Sequence, residues 1–311
     1  MAPVCDEFND NFFNWTLTYR LDSHIPWTYF SIRNKSGGIV APSLDVIWED
    51  NYLYTSTTIK PVLKSILSKK TKAVVWIVTL CPSKSFIENY LLILQTVLVY
   101  FSLKIDLYGE CSYKKCPDND CPKLIKENYL FYMAYENSII EDYVTEKVLY
   151  GYENFAVPIV YGGANYSRFL PPGSYVNAKD LNPYDLALII YSAVINRTDY
   201  EQYFKWTNHY SVEASPKDYH PLCDLCAALH TDFAKNAPAI KNFRKWWMGK
   251  DGMKWCLPEH YKDDDWKSSS KVNTKLTVVA KRIYCNLYRK FKPRITDSMK
   301  NDAYYFEESS S

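Results

Sequence analysis

The sequence lacks a hydrophobic run long enough to cross a membrane. Its longest apolar stretch, residues 90–103, covers about 14 positions and includes Gln95, whereas a membrane-spanning helix needs about 20 apolar residues. We therefore expect this stretch to form a buried helix. The amino terminus, which begins Met1-Ala2-Pro3, carries neither a signal peptide nor an anchor.

A marked excess of charge is also missing. Lys and Arg number 37 and Asp and Glu number 35, for a net charge of +2, so bulk electrostatics give no support to nucleic-acid binding. No repeat with a period of about 20 to 50 residues is evident, which excludes a solenoid. The apolar fraction of 47% excludes a disordered chain, and 311 residues are enough for one large core or two ordinary ones.

Strands and helices alternate through the middle of the chain. Short apolar runs predict strands, and longer runs with helical spacing predict helices. The predicted elements are strands at 73–80, 104–109, 129–135 and 157–161 and helices at 84–101, 184–195 and 200–209. This alternation argues for an α/β fold with a doubly wound parallel sheet.

Residues 129–163 combine a buried strand with a polar strand end. Residues 129–135 have no polar face, as expected of a strand that is buried on both sides of a parallel sheet. Glu136, Asn137 and Ser138 follow at the carboxyl edge, where open α/β sheets bind ligands. The next strand ends at Gly162-Gly163, which completes a βαβ unit.

A helix is predicted to begin at Thr145, with Asp142 or Thr145 as its cap. Lys147 would lie in the first turn, where a positive charge opposes the helix macrodipole but suits a bound phosphate. Because its sign is wrong for the helix, we interpret Lys147 as a residue that binds an anion.

Nine cysteines and four Asn-x-Ser/Thr sequons indicate a secretory or Golgi lumenal protein. The sequons are Asn14, Asn34, Asn165 and Asn196. Two cysteine groups, Cys111/Cys116/Cys121 and Cys223/Cys226, fit either disulfides or part of a zinc site. Disulfides are the preferred interpretation, because zinc sites of this type need two close pairs at regular spacing and the sequons favour oxidation.

Several motifs together resemble the α1,3-fucosyltransferases. The donor-binding signature of that family has the form Phe-Glu-Asn-Ser, a spacer and Thr-Glu-Lys, followed by Val-Pro and Arg-Phe-Leu-Pro-Pro. This sequence matches it with Tyr135-Glu136-Asn137-Ser138, Tyr143-Val144-Thr145-Glu146-Lys147, Val157-Pro158 and Arg168-Phe169-Leu170-Pro171-Pro172. The resemblance also takes in Asn14–Ser23 and Cys223–Cys226.

The resemblance implies a GT-B fold, in which two Rossmann-like domains with parallel sheets face a cleft, with the amino-terminal domain incomplete here. It implies an inverting glycosyltransferase that moves L-fucose from GDP-fucose to O3 of a GlcNAc in glycoprotein glycans. Residues 1–68 would be the remnant of the acceptor-side domain, 69–260 the GDP-fucose-binding domain and 261–311 a basic, Ser-rich, flexible tail.

The resemblance also assigns roles to the residues of the signature. Lys147 would contact the diphosphate, and Glu146 would accept hydrogen bonds from the ribose hydroxyls. Asn137 and Tyr143 would line the donor pocket, and Glu136 is counted with them as donor-binding. Related enzymes need no metal cofactor, so Mn²⁺ would at most stimulate the reaction.

The amino-terminal motif departs from the family where the general base is expected. Arg20 and Asp22 would either shape the cleft or only pair with each other. The family has a Glu-Ser-Pro motif whose Glu is the expected base, and here Met1-Ala2-Pro3 occupies that place. Glu7 and Asp10 are the nearby carboxylates, and loss of the base typically costs about 10²–10⁴ in rate.

A second departure concerns the donor phosphates. The strand that commonly ends Ser-Asn-Cys in relatives ends here at Thr79-Leu80-Cys81, and Ile87 stands where relatives carry a phosphate-neutralising Arg. Lys84 is close enough in sequence to substitute for that Arg.

The cysteine cluster bears on the acceptor. Invertebrate enzymes that fucosylate the innermost GlcNAc of N-glycans share a Tyr-Gly-x-Cys and Lys-Cys-Pro cluster, which is present here as Tyr108–Cys111 and Lys115–Pro117. Related enzymes act on the lumenal side of the Golgi membrane, to which this chain would attach only through a segment that it lacks.

Two alternatives stay open. In the first, the chain is a catalytically impaired, truncated variant that only binds a nucleotide sugar or a glycan. In the second, Asp118-Asn119-Asp120 acts as an Asp-x-Asp manganese motif, although it lies between two cysteines in a turn-rich loop. EDTA and Asp118→Ala would then both abolish activity.

Overall fold

The computed structural model describes residues 10–49, 53, 58–78, 88–112, 114–214, 221–231 and 237–252. The chain divides into two compact units, of which one is Asp6–Gly249 and the other combines Met1–Cys5 with Lys250–Ser311. The predicted boundary at residue 68 falls inside the first unit, so the division into three domains stays a prediction. The tail 261–311 lies outside the described residues.

The strands of the described ranges form three sheets, all in the first unit. In chain order they are β1 (Leu17–Thr18), β2 (Ile25–Pro26), β3 (Ser31–Asn34), β4 (Ile39–Ala41), β5 (Lys72–Ile77), β6 (Ile105–Tyr108), β7 (Tyr129–Tyr135), β8 (Val157–Tyr161), β9 (Val176–Asn177) and β10 (Tyr210–Glu213). The central sheet has the order β6-β5-β7-β8-β9, and all its neighbouring strands are parallel. The predicted α/β fold with a parallel sheet is therefore confirmed.

The amino-terminal strands are shorter and form the two smaller sheets. β1 and β2 make a parallel pair, and β3 lies between β4 and β10 with both pairings antiparallel. The strand β10 comes from the far end of the unit, so the amino-terminal residues are joined to the carboxyl-terminal part of the unit by backbone hydrogen bonds.

Helices connect the strands. They are α1 (Pro61–Ser68), α2 (Glu88–Tyr100), α3 (Cys121–Asn128), α4 (Lys147–Glu153), α5 (Pro183–Ile195), α6 (Arg197–Gln202), α7 (Pro221–Leu229) and α8 (Phe243–Gly252). The helix predicted at 184–195 is α5, confirmed with its start fixed by the Asn182 side chain, which accepts from two backbone N–H groups. The helix predicted at 200–209 begins earlier, because Asn196 caps α6, and it ends at Gln202 before a short 3₁₀ segment.

The helix α2 is half buried rather than buried. Leu94 and Leu98 are fully buried, but Ile93, Val99 and Tyr100 on its outer face are 53%, 57% and 84% exposed. The expectation of a buried helix was therefore wrong for one face, since an apolar run does not reveal which side the sheet covers. Within the described ranges, no helix is both long enough and apolar enough to span a bilayer.

The central strand β7 carries side chains into two separate cores. Tyr132 and Ala134 belong to the core that also holds Ile32 of the amino-terminal segment and Val148 of α4. Phe131, Met133 and Tyr135 belong to the core that includes leucines and isoleucines of α2 and α5. Because successive strand residues point to opposite faces, the next residue, Glu136, is directed to the side of α4 and the amino-terminal segment.

A buried lysine lies where several elements meet. The Lys70 side chain is fully buried, and its ammonium donates to the carbonyls of Ile125, Tyr129 and Asn154 at 3.1, 2.9 and 2.9 Å. Burial, and then the charge of Lys126, lowers the pKa of Lys70 to about 7. Lys70 thus ties the ends of α3 and α4 to the start of β7.

Candidate active site

The site begins where β7 leaves the sheet. Glu136 continues the ladder for one residue, because its N–H donates to the Tyr161 carbonyl at 2.9 Å. Its side chain is 0% exposed. Burial raises the pKa of Glu136, and the Lys147 charge together with the Thr145 N–H opposes that rise.

Three groups satisfy the buried Glu136 carboxylate. Oε1 accepts from the Thr145 N–H at 2.8 Å, and the Thr145 hydroxyl lies 3.0 Å from both carboxylate oxygens. The Lys147 ammonium donates to Oε2 at 2.9 Å and to the Thr145 hydroxyl oxygen at 2.9 Å. Glu136, Thr145 and Lys147 are called the anchor triad below.

The start of α4 differs from the prediction. The helix begins at Lys147 with Glu146 as its N-cap residue, and no side chain of the described residues caps it. Thr145 does not act as the cap because its hydroxyl donates to Glu136. Asp142 does not act as the cap either, because its Oδ2 accepts the Leu21 N–H at 3.1 Å. The prediction of a cap at Asp142 or Thr145 was therefore wrong.

Glu146 and Lys147 are neighbours with different surroundings. Glu146 is exposed, whereas the Lys147 side chain is 22% exposed and bound to Glu136. A fixed ammonium with an exposed carboxylate beside it can receive an anion and a group with hydroxyl donors at adjacent points. Asn137, the residue after Glu136, is half buried at the same strand end.

Aromatic rings cover one side of this edge. The Tyr143 ring meets Tyr19 edge-on with centroids 5.2 Å apart and Tyr29 with centroids 6.4 Å apart, and Tyr19 also contacts Trp247 at 5.8 Å. Burial, then the neighbouring Tyr29 and Glu136, raises the pKa of Tyr143 to about 12. Tyr143 is therefore a neutral hydroxyl at ordinary pH.

Arg20 and Asp22 pair with each other in a bidentate contact, with both N–H···O distances at 2.9 Å. Arg20 also reaches Glu141 at 3.3 Å, and its guanidinium lies 4.8 Å from the Trp246 ring centroid. The Trp246 indole N–H donates to Asp22 at 2.8 Å. The pair thus connects the segment after β1 to the loop before α4 and to α8.

The loop 137–146 packs closely against the end of β8. A Cβ at Gly163 would lie within 2.5 Å of the backbone nitrogen and carbonyl carbon of Ile140, so only glycine allows this approach. Asp142 in the same loop has a left-handed φ of 57°, its buried Oδ1 meets no hydrogen-bond partner among the described residues, and burial raises its pKa. The loop thus approaches the Gly163 backbone closely on one side, and its Asp142 side chain accepts the Leu21 N–H on the other.

A match to a family model identifies the family of this chain. The family model described as glycosyltransferase family 10 (fucosyltransferase), C-terminal part, matches residues 67–246, which is more than half of the chain and includes the anchor triad. The chain belongs to glycosyltransferase family 10.

Named relatives of this fucosyltransferase family are similar over most of the chain. The α-(1,3)-fucosyltransferase C of Drosophila melanogaster is 35% identical over 242 residues, which is 76% of this chain and 54% of that protein. The α-(1,3)-fucosyltransferase fut-1 of Caenorhabditis elegans is 30% identical over 60% of this chain and 45% of its own length. The chain thus spans about half the length of the relatives that it matches.

Parts of the chain also resemble two solved structures at low identity. A crystal structure of an α1,3-fucosyltransferase with GDP-fucose is 18% identical, with a TM-score of 0.39, over 62% of this chain and 60% of that one. A structure of an α1,3-fucosyltransferase with GDP has a TM-score of 0.36 at 18% identity and covers 52% of this chain and 49% of that one.

Of the remaining residues that the family resemblance singles out, only Asp10 lies within the described part of the chain. Glu7, Lys84, Ile87 and the segment Thr79–Cys81 lie outside the described residues. Asp10 accepts from the Arg244 backbone N–H at 3.0 Å and from its guanidinium at 3.2 Å. These contacts, led by the backbone hydrogen bond, lower the pKa of Asp10, which makes it a weak proton acceptor.

The cysteines of this family-10 chain follow the two predicted groups only in part. Cys116 and Cys121 form a disulfide, which confirms oxidation in the first group. Cys223 and Cys226, both exposed in α7, form no disulfide within the described part of the chain, so their predicted disulfide chemistry is not seen there. Within the described part of the chain, no group of three or more His, Cys, Asp or Glu side chains is arranged to hold a metal ion.

The Asp-x-Asp segment serves the fold. Asp120 caps α3 by accepting the Lys123 N–H at 2.8 Å, and Asp118 lies in the turn that the Cys116–Cys121 disulfide closes. The capping contact gives Asp120 a structural role. The manganese hypothesis is not needed to explain its position.

The four sequon asparagines are placed differently from one another. Asn14 donates from its amide nitrogen to the Ala237 carbonyl at 2.8 Å, and Asn196 donates to Asp199 at 2.7 Å. Asn34 and Asn165 accept hydrogen bonds from the sequon serines at 2.8 Å. Their glycosylation stays a prediction.

Among the described residues, some surface grooves lie away from the anchor triad. One, of about 680 Å³, is lined by residues of β3 and β10 with Lys60, and another, of about 540 Å³, by residues of α3 with Lys69 and Asn154. Neither of these grooves is lined by Glu146 or Lys147.

The contact of Thr145 with Glu136 and the contacts of Trp246 and Tyr29 were not predicted from the sequence. Thr145 was expected to cap the helix, because a hydroxyl residue before a helix usually does, and the family signature placed it at a helix start that helps to hold the donor. Tyr29 lies more than a hundred residues from Tyr143, and Trp246 lies more than two hundred from Arg20, so neither gives a local signal and only tertiary packing brings each to its partner. The face of Glu136, in contrast, follows from the alternation of residues along β7.

Proposed function

We propose that this chain carries the donor-binding half of an inverting fucosyltransferase, which moves L-fucose from GDP-fucose to O3 of a GlcNAc in an N-glycan of a glycoprotein. The α1,3-fucosyltransferase names of the relatives and the family match support this function over an impaired binder, to which they give no support. The observation that carries the proposal is the Lys147 ammonium fixed at the strand end, with the exposed Glu146 beside it.

In this reaction the acceptor O3 attacks C1 of fucose on the face opposite the diphosphate. The O3–C1 bond forms while the bond between C1 and the β-phosphate oxygen breaks, and GDP leaves with that electron pair. Lys147 would stabilise the charge that develops on the departing diphosphate, as would Lys84 if it substitutes for the missing Arg. Glu146 would accept from the ribose hydroxyls, and Asn137 and Tyr143 would line the pocket.

A carboxylate must take the O3 proton. Of the two candidates in this chain, Asp10 is the weaker, because Arg244 binds it through two contacts, and Glu7 is preferred on that ground. The donor, a GlcNAc-containing glycan and the lumenal side of the Golgi are the substrates and location that we propose. No nucleic acid takes part in the proposed reaction.

The test is titration calorimetry of the full chain with GDP, GDP-fucose and guanosine. Lys147→Ala is expected to weaken GDP binding at least about tenfold, because a charge-assisted hydrogen bond is worth about 1.5–3 kcal/mol, while guanosine binding stays unchanged. Glu146→Ala should weaken guanosine and GDP together. The matched control is Lys115→Ala, which changes an exposed lysine in the loop after β6 and should bind as the parent does.

Two outcomes would contradict the proposal. Unchanged GDP affinity in Lys147→Ala would remove the diphosphate site, and loss of GDP binding in EDTA, matched by Asp118→Ala, would favour a manganese site instead. Release of GDP from GDP-fucose in the presence of an N-glycan acceptor, measured against reaction without acceptor, then tests turnover itself.

A further inference from the structure

We propose that Glu136 is a positioning residue, which holds the Lys147 ammonium at the end of β7 for a nucleoside diphosphate and does not itself contact the donor. The inference rests on the proposed function of Lys147. It replaces a role for Glu136 in direct donor binding with one that acts through the neighbouring lysine.

The Glu136 side chain is not accessible to a ligand at the sheet edge. The Glu136 side chain is 0% exposed, and it lies on the face of β7 that also packs against α4 and the amino-terminal segment. A donor molecule at the sheet edge would meet the partly exposed Lys147 and the exposed Glu146 first.

The hydrogen-bonding capacity of the Glu136 carboxylate is already used within the protein. The Thr145 N–H and hydroxyl and the Lys147 ammonium already donate to the two Glu136 oxygens at 2.8–3.0 Å. A diphosphate brings acceptor oxygens, and an ionised carboxylate cannot donate to them. Glu136 therefore has no favourable direct contact to offer the phosphates.

The Lys147 side chain is ordered before a ligand binds. A free lysine side chain has several rotatable bonds and loses rotamer freedom when it binds an anion. The contacts of Lys147 with Glu136 and with the Thr145 hydroxyl, both at 2.9 Å, fix the ammonium before a ligand arrives. Three donor hydrogens belong to an ammonium, so these two acceptors leave one to point toward an incoming phosphate.

A purely structural ion pair would show the same distances, so the test must separate the two roles. A double-mutant cycle does so, because an effect of Glu136 that acts through Lys147 disappears when Lys147 is gone. Glu136→Gln, Lys147→Met and the double variant are compared in the full chain by calorimetry with GDP and with guanosine. Thermal unfolding of each variant is measured in parallel.

Glu136→Gln is expected to weaken GDP binding about five- to thirtyfold and to leave guanosine binding within about twofold of the parent. In the Lys147→Met background the same substitution should change GDP binding less than about twofold. The control is Glu153→Gln, an exposed carboxylate at the other end of α4, which should bind both ligands as the parent does.

The design also covers a failure of Glu136→Gln to fold. The double variant removes both charges together, and neutral replacement of a buried ion pair is often tolerated, so it remains measurable against Lys147→Met. Glu136→Asp keeps the charge but withdraws it from Lys147 by one methylene, and it should weaken GDP selectively.

The outcomes separate this inference from the proposed function. If Lys147→Met binds GDP as the parent does, the diphosphate site itself is wrong. If Lys147→Met loses GDP but Glu136→Gln or Glu136→Asp does not, or if the loss caused by Glu136→Gln extends to guanosine or persists in the Lys147→Met background, the positioning role alone is overturned.

Discussion

Single residues in this chain carry charges into places where water does not reach, and Lys70 is the clearest case. Its ammonium meets three carbonyl oxygens. The three acceptors match the three donors of the charged form, while burial disfavours that form and lowers the pKa to about 7. Stability should therefore depend on pH through this one side chain.

The first prediction concerns Lys70→Met. Because the folded-state pKa lies below the unfolded value, the unfolded chain binds more protons between about pH 7 and pH 10, and stability rises with pH in that window. The stability advantage of the parent over Lys70→Met, measured by urea unfolding, should be about 2–3 kcal/mol larger at about pH 9 than at about pH 6. An advantage that is equal at both pH values would show that Lys70 keeps its ordinary pKa.

The second prediction concerns Gly163→Ala. The added Cβ would meet the Ile140 backbone within 2.5 Å, so the loop before α4 must move away from the end of β8. GDP affinity should fall at least about fivefold. The loss of thermal stability should be modest. Gly38→Ala is the control, since its Cβ would meet the Asn34 side chain only at 3.4 Å; equal effects of the two variants would argue against a role of this contact in the site.

At the residue scale, motif spacing predicted which side chains gather but not what each one does. Glu136 and Lys147 were both expected at the site, and the structure brings them into contact. That the Thr145 hydroxyl donates to Glu136 could not be predicted, because a hydroxyl before a helix usually accepts a backbone N–H as a cap, and only the burial of Glu136 favours the other role. Arg20 and Asp22 pair with each other, but Arg20 also contacts Glu141 and Trp246, and a role of the pair in shaping the cleft stays a prediction.

Elements far apart in sequence meet around the loop before α4. The segment after β1 reaches it through Arg20 and Leu21, and Trp246 of α8 packs on Arg20. The bidentate contact of Arg20 with Asp22 has a fixed planar geometry, which a lysine cannot reproduce. The arrangement of these elements should therefore be sensitive to the shape of that cation.

The third prediction is that Arg20→Lys lowers the free energy of unfolding by about 1–3 kcal/mol, because the fork to Asp22 and the contact with Trp246 are lost. Chemical denaturation measures this. Lys64→Ala removes an ion pair with Glu201 in which the lysine is 63% exposed, and it should cost about 0.5 kcal/mol or less. A cost for Arg20→Lys no greater than that of the control would mean that the charge alone matters.

The main elements of the sheet could be predicted because their residues are apolar throughout or bounded by polar ends. β7 and β8 match the predicted strands residue for residue, since both are buried on two faces. The short strands β1 to β4 could not be predicted individually, because two to four residues carry too little periodicity. The start of α4 was misplaced because its first turn is fixed by tertiary contacts instead of by a cap.

On the scale of the whole molecule, the amino-terminal residues share a core with the central sheet. Leu21, Phe30 and Ile32 pack in the same cluster as Tyr132 and Ala134 of β7. The family match begins only at residue 67, after that covering segment. The matched region alone would therefore expose an apolar face of the sheet.

The fourth prediction is that a chain beginning at residue 67 does not fold as the parent does. Removal of Phe30 and Ile32, both essentially buried, uncovers the sheet face that carries Glu136, so we expect aggregation in size-exclusion chromatography and loss of the cooperative unfolding transition. Phe30→Ala in the full chain is a milder version, with an expected cost of about 3–5 kcal/mol. A monomeric, cooperatively unfolding 67–311 chain would show that the amino-terminal cover is dispensable.

The hydrogen bond from the Leu21 backbone to Asp142 has a consequence for genetics. A random-mutagenesis screen for impaired sugar-nucleotide use should recover lesions around residues 20–22 as well as within 136–147. Someone mapping such alleles onto the linear sequence would assign the first group to recognition of the glycan. The actual defect of the alleles in that first group would be a displaced loop on the nucleotide side of the site.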